Sequence, residues 1–312
     1  MRPFLAFLAL LLCTSSLRAQ DSFFRPGDVV AFLGGEDLVV ASEHGYFELL
    51  LARALPEHRL KFRSLAWEGD TVFEQRRDLN FPTWDEQLEQ VGATVVVCQF
   101  GQMESFGGPG KLPAFVEAYE KLLRQWGAGG KRRLLVLEPF ALGQRDDLPP
   151  AEQRAWELSA VLRDRHDALA EYSAAARNVA ERVGAVWVPV GEVRLRGGAV
   201  QRDGCHLTRG AHAVFALDLA RQLQLQAHSG GPKSTLNTRL LELIAAKNRL
   251  WFDYWRVQNW AFLAGDRTVQ PSSRDHLDPS KRWFPAEREA FLPLIDAKEQ
   301  EIWKLTTELS QP

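Results

Sequence analysis

Cysteine is scarce in this chain: there are 3 in 312 residues, and one of them, Cys13, directly follows the first apolar run. The remaining two, Cys98 and Cys205, make no disulfide framework for a chain of this size and read as small buried hydrophobes. An excess of charge of one sign is also missing. With 38 basic against 40 acidic side chains the formal net charge is −2, which offers no field for nucleic acid or for an anionic membrane. After Ala19 no apolar stretch is long enough to span a bilayer, so no transmembrane helix is expected in the mature chain. No phosphate-cradling glycine loop with an acidic partner occurs, so no organic cofactor is expected. Methionine is the rarest of all, and the second of the 2 is Met103.

What remains is ordinary globular composition, 46% hydrophobic and 25% charged, in a chain long enough for one large domain with an annex. Tryptophan is the exception. There are 10, and Trp251, Trp255, Trp260, Trp283 and Trp303 crowd the C-terminal quarter. At the other end, Arg2, the apolar run Phe4 to Leu12 and Ser15 to Ala19 have the three sections of a secretory signal. Residues 1–19 are therefore expected to be a signal peptide, with export to the periplasm or beyond. Leu12-Cys13 fits a lipoprotein site less well, because a bulky residue precedes the cysteine.

From residue 29 onward, short apolar runs alternate with amphipathic segments. The strand candidates are Val29–Leu33, Leu60–Leu65, Thr94–Phe100, Arg133–Glu138 and Ala185–Pro189, and helical patterns fall near 45–55, 84–91, 112–127, 151–183 and 209–224. That alternation predicts a doubly wound parallel sheet covered by helices on both faces. His228 to Ser234 reads as a linker. Beyond it, Thr235 to Leu263 and Ala286 to Leu305 are helical patterns with no strand between them. They are expected to form an annex, 235–308, docked on a sheet domain, 26–228, through its tryptophans.

Four segments carry the chemistry. Val29 to Leu33 runs straight into Gly34-Gly35-Glu36-Asp37, as a buried strand does when it ends in a tight turn before a helix. Trp67-Glu68-Gly69-Asp70 follows the second strand, and Gly101-Gln102-Met103-Glu104 follows the third. Asp203-Gly204-Cys205-His206 precedes an apolar helix and sets a carboxylate three residues before an imidazole, the spacing that lets it hold the ring's second nitrogen.

In order and spacing these segments resemble the four sequence blocks of the SGNH (GDSL-like) hydrolases, over about residues 26 to 225. The resemblance implies a three-layer α/β/α sandwich that hydrolyses esters, on carbohydrates or lipids, with a Ser-His-Asp site. Carried over by position, it makes His206 the base, Asp203 its orienting carboxylate and Gly69 an oxyanion donor. Two positions depart from the family. Glu36 stands where the nucleophilic serine belongs, and Met103 stands where the oxyanion asparagine belongs and has no N–H to offer. Glu36 would then act on water as a base, or pair with His206.

Other hydroxyls and thiols read as local: Ser42 as part of a helix face, Ser105 as a turn hydroxyl, Cys205 as a buried thiol. Glu36, Asp37, Asp70, Glu104, Asp203 and His206 would suit a divalent cation if they converged, yet no spacing demands it. Asp70 and Glu104 read first as loop caps, and no metal is expected. Trp251, Tyr254 and Trp255 share a helical face that reads as a docking surface before it reads as a sugar platform. Two functions follow: an ester hydrolase with an altered mechanism, or a non-catalytic relative that binds a glycan or a protein through the same cleft.

Overall fold

A computed structural model describes residues 23–140, 160–190, 206–225 and 235–310. The expected signal peptide, Asp203 and Cys205 lie outside them. Five strands, β1 (Val29–Gly34), β2 (Lys61–Ser64), β3 (Val95–Gln99), β4 (Arg133–Leu137) and β5 (Val186–Val188), form one sheet in the order β2-β1-β3-β4-β5, parallel throughout. Each overlaps a predicted run. The central strands β1, β3 and β4 are almost wholly apolar because both of their faces are buried, whereas the edge strand β2 also carries Lys61, Arg63 and Ser64. Along β1, Val30 and Phe32 enter one core while Ala31 and Leu33 enter the other. Along β3, Val95 and Val97 divide from Val96 and Cys98 in the same way. Burial pushes the Cys98 thiol up to about 12, so it stays protonated.

Helices α1 (Glu36–His44), α2 (Tyr46–Ala54), α3 (Trp84–Gln90), the single turn α4 (Gln102–Ser105), α5 (Leu112–Gly127), α6 (Ala160–Arg182) and α7 (Arg209–Gln222) cover the sheet. Two helices follow β1, the second of them at the predicted pattern, and they meet at Gly45. Its φ of 67° closes α1 and opens α2, and a Cβ there would lie 2.6 Å from Ile244 Cγ2. The strand order reverses between β1 and β3, the place where sheets of this kind gather ligands at their carboxyl ends.

The C-terminal helices α8 (Thr235–Trp255), α9 (Trp260–Leu263), α10 (Trp283–Glu289) and α11 (Phe291–Ser310) pack beside the β2 edge. The expected continuous helix to Leu263 breaks after Trp255. There the chain turns, and Trp260 meets Phe81 at 4.6 Å and donates to Leu79 O. The last helical pattern also divides. Pro293 sits in the first turn of α11 and has no N–H to continue α10. Trp251, Tyr254 and Trp255 are buried in the core that also holds Leu33 and Val96, and Trp251 Nε1 donates to Ser64 O at 2.8 Å. That burial makes the three side chains the docking surface that the sequence suggests, and Trp251 and Trp255 also line a cavity of ≈ 240 Å³. Among the described residues no helix is long and apolar enough to cross a membrane.

Candidate active site

A cavity of ≈ 200 Å³ opens at the carboxyl ends of β1 and β3. It is lined by Glu36, Gly69, Gly101, Met103 and His206, which all come from the four segments, and by Gln99 and Pro139. Glu36 is the first residue of α1, where a carboxylate is favoured by the helix's unpaired N–H groups. His206 lies just before α7, whose start is fixed by Thr208 Oγ1 accepting from Ala211 N. Glu36 Oε2 and His206 Nε2 are 3.1 Å apart, with the two side chains 46% and 23% exposed.

Gly69 is the third residue of a turn closed by Asp70 N–H donating to Trp67 O at 3.1 Å, and its φ of 79° is why the position holds glycine. Among the described residues no acceptor takes the N–H of Gly69 or of Glu36. Gly101, at φ 123°, differs: its N–H donates to Glu104 Oε2 at 2.7 Å. Glu104 Oε1 accepts from Val72 N at 2.8 Å, so one buried carboxylate ties the loop after β3 to the loop after β2. Burial raises the Glu104 carboxyl, and the hydrogen bonds from Val72 and Gly101 oppose the rise. Met103 lies 51% exposed at the rim and leaves the cavity open.

Glu104 is thus a loop cap, as the sequence suggests, but Asp70 is not. Its carboxylate is held by both Nη atoms of Arg77, at 2.8 and 2.6 Å, because that side chain is buried and its charge needs a counter-charge. Ser42 Oγ donates to Leu38 O and Ser105 Oγ to Gln102 O, both local bonds. Among the described residues no group of three histidine, cysteine or acidic side chains is placed to hold a metal ion.

Two groups beside the site escaped the sequence reading. Gln99 ends β3 and its amide donates to Glu138 O at 2.7 Å; a polar residue closing an apolar strand was the available signal. His212 on α7 is buried, its ring 5.2 Å from that of His44, and neither ring nitrogen has a hydrogen-bond partner among the described residues. Burial, then the neighbouring His44 and His206, lower its pKa to about 4. In sequence it is one of several polar residues in the helix, with Arg209, Asp218, Arg221 and Gln222, and nothing sets it apart.

No protein-family model matches the sequence, and no curated protein is detectably similar to it. Solved structures do resemble it. The gut microbial diltiazem-metabolizing enzyme BT4096 superposes with a TM-score of 0.51 at 12% identity, over 91% of this chain and 95% of its own. The likeness is one of fold. The α/β hydrolase LAE5 from the metagenome of Lake Arreo, Spain, gives a TM-score of 0.47 at 17% identity over 65% of this chain and 98% of its own. A variant of Axe2, an acetyl-xylooligosaccharide esterase from Geobacillus stearmophilus, gives 0.47 at 15% over 66% and 99%. GDSL-like hydrolases and carbohydrate acetylesterases are among the solved neighbours.

Proposed function

We propose that this chain is an exported hydrolase of small carboxylic esters in which Glu36 and His206 act on water directly. One observation carries the reading: the cavity is open around Glu36, and the N–H groups of Glu36 and Gly69 have no acceptor among the described residues. A carboxylate in the nucleophile's place cannot form the usual acyl-enzyme. Glu36 Oε2 lies 3.1 Å from His206 Nε2, and Oε1 is the oxygen left for a water molecule. In the reaction the water oxygen bonds to the ester carbonyl carbon and its proton passes to Glu36. The two amides hold the oxyanion, and the departing alkoxide takes a proton from the Glu36–His206 pair as the C–O bond breaks. Asp203 is the group that would orient His206.

The chemistry is slower than a serine esterase's for two reasons. A carboxylate is intrinsically a weaker base than an imidazole, and losing one oxyanion donor, as at Met103, costs roughly 100- to 1000-fold in rate. Aryl acetates, with good leaving groups, are therefore the substrates to try. Purified protein is expected to hydrolyse a short-chain aryl acetate, with turnover lost in both Glu36→Gln and His206→Ala.

A second reading is favoured by the exposed Met103 at the rim: a non-catalytic cleft that binds a glycan or a protein partner. Silence in the wild type, with activity appearing in Glu36→Ser/Met103→Asn, would select it.

A further inference from the structure

The turn that presents Gly69 is gripped from both sides. Glu68 and Asp70 flank Gly69, and each carboxylate is bound by an arginine: Glu68 by Arg256, Asp70 by Arg77. Both guanidinium groups rest on one ring, with Arg77 Cζ 4.2 Å and Arg256 Cζ 4.0 Å from the centre of Trp67, the turn's first residue. Trp67 N–H in turn donates to Gly34 O at 3.0 Å, which fastens the turn to the end of β1 beside Glu36. Arg77 belongs to the loop after β2, but Arg256 belongs to the C-terminal annex, directly after α8, where its own N–H donates to Phe252 O at 2.8 Å.

We infer that the annex completes the active site: Arg256 is a positioning residue that, with Arg77, holds the Glu68-Gly69-Asp70 turn so that the Gly69 N–H faces the cavity. The alternative, that Arg256 only fastens annex to sheet, is ill matched to its partner. Glue between elements is already supplied by Lys247 with Glu48 and Arg63 with Glu299, whereas Arg256 reaches the turn that lines the cavity, whose central residue sits at positive φ. A planar guanidinium can pair with a carboxylate and stack on an indole at once, and an ammonium cannot do both as well. Burial pushes the Glu68 carboxyl up, but the hydrogen bond and charge of Arg256 bring it below the usual range, consistent with a charge pair maintained through the working pH.

The catalytic consequence rests on the hydrolase reading, while the clamp itself does not, so the test separates them. Amide exchange is measured residue by residue in the full chain for wild type, Arg256→Gln and Arg256→Lys. Aryl acetate kinetics are followed in these proteins and in the Glu36→Ser/Met103→Asn background. Arg256→Gln is expected to speed exchange of the bonded Trp67 and Asp70 amides about tenfold, equivalent to ~1.4 kcal/mol, with α8 amides unchanged. In whichever background hydrolyses ester, kcat is expected to fall in similar proportion at unchanged KM, and Arg256→Lys to recover part of both. Unchanged exchange at Trp67 and Asp70, or a rise spread through α8, overturns the clamp even if hydrolysis is found. Faster exchange in the turn with no hydrolysis in any background leaves the clamp standing and removes the hydrolase reading.

Discussion

Lys247 is enclosed completely between the annex and α2, its Nζ 2.8 Å from Glu48 Oε2, with the two side chains 0% and 7% exposed; the Glu36–His206 pair at the mouth of β1 stands instead in contact with solvent. Burial lowers the pKa of Lys247 and raises that of Glu48, and each partner opposes the other's shift. A pair like this is unforgiving, because removing one partner strands the other charge away from water. Solvent screens the exposed pair, so loss of a partner costs little there. The fully buried pair thus lies on the annex flank, and the open site is tied to that flank through Arg256, while Glu104 ties the site's own loops together.

The sharpest way to break this contrast is Lys247→Met, expected to destabilise the fold by about 3–5 kcal/mol in denaturant titrations. Adding Glu48→Leu should recover most of the loss, since a packed apolar pair replaces the ionic one. A double variant as unstable as the single would show that the pair is not what holds the annex.

His212 lies between the two regimes. Its folded pKa of about 4 is below the unfolded value of 6.5, so its contribution to stability is present above pH 6.5 and is lost as pH falls toward 4. The loss is on the order of 3 kcal/mol. His212→Leu is expected to flatten that part of the stability profile while leaving stability at neutral pH almost unchanged, because neither ring nitrogen has a hydrogen-bond partner among the described residues to lose. A wild-type slope retained in the variant would move the acid lability to other groups.

At the site itself, Glu104→Gln keeps one acceptor where two backbone N–H groups need them, and should cost about 1–3 kcal/mol. Smallest, and remote from both regions, is the capping box of α3, where Thr83→Ala should cost ~1 kcal/mol and leave any esterase rate untouched. A change in turnover there would mean that global stability, rather than the local clamp, limits the reaction.

The central strands were legible because their two buried faces leave them almost wholly apolar, and the segments after β2 and β3 because Gly69 and Gly101, at positive φ, mark tight turns at the sheet's carboxyl edge. Gly69 and Gly101 look alike in sequence, yet only Gly101 spends its N–H on a carboxylate, a difference made by Glu104 folding back across the turn. Lys247 was unreadable. A lysine in an amphipathic helix looks like a solvated face, and its partner is 199 residues away. Arg256 was hidden for the same reason: its ring and its carboxylate both come from the turn after β2.

The most direct test of the central claim is the time course of aryl alcohol release from an aryl acetate, with the intact protein's mass followed alongside. Direct attack of water, with Glu36 in the nucleophile's place, predicts linear release from the first turnover and no acetylated protein in the wild type, with a burst and an acetyl adduct appearing only in Glu36→Ser/Met103→Asn. A burst in the wild type, with acetyl on any side chain, would contradict it.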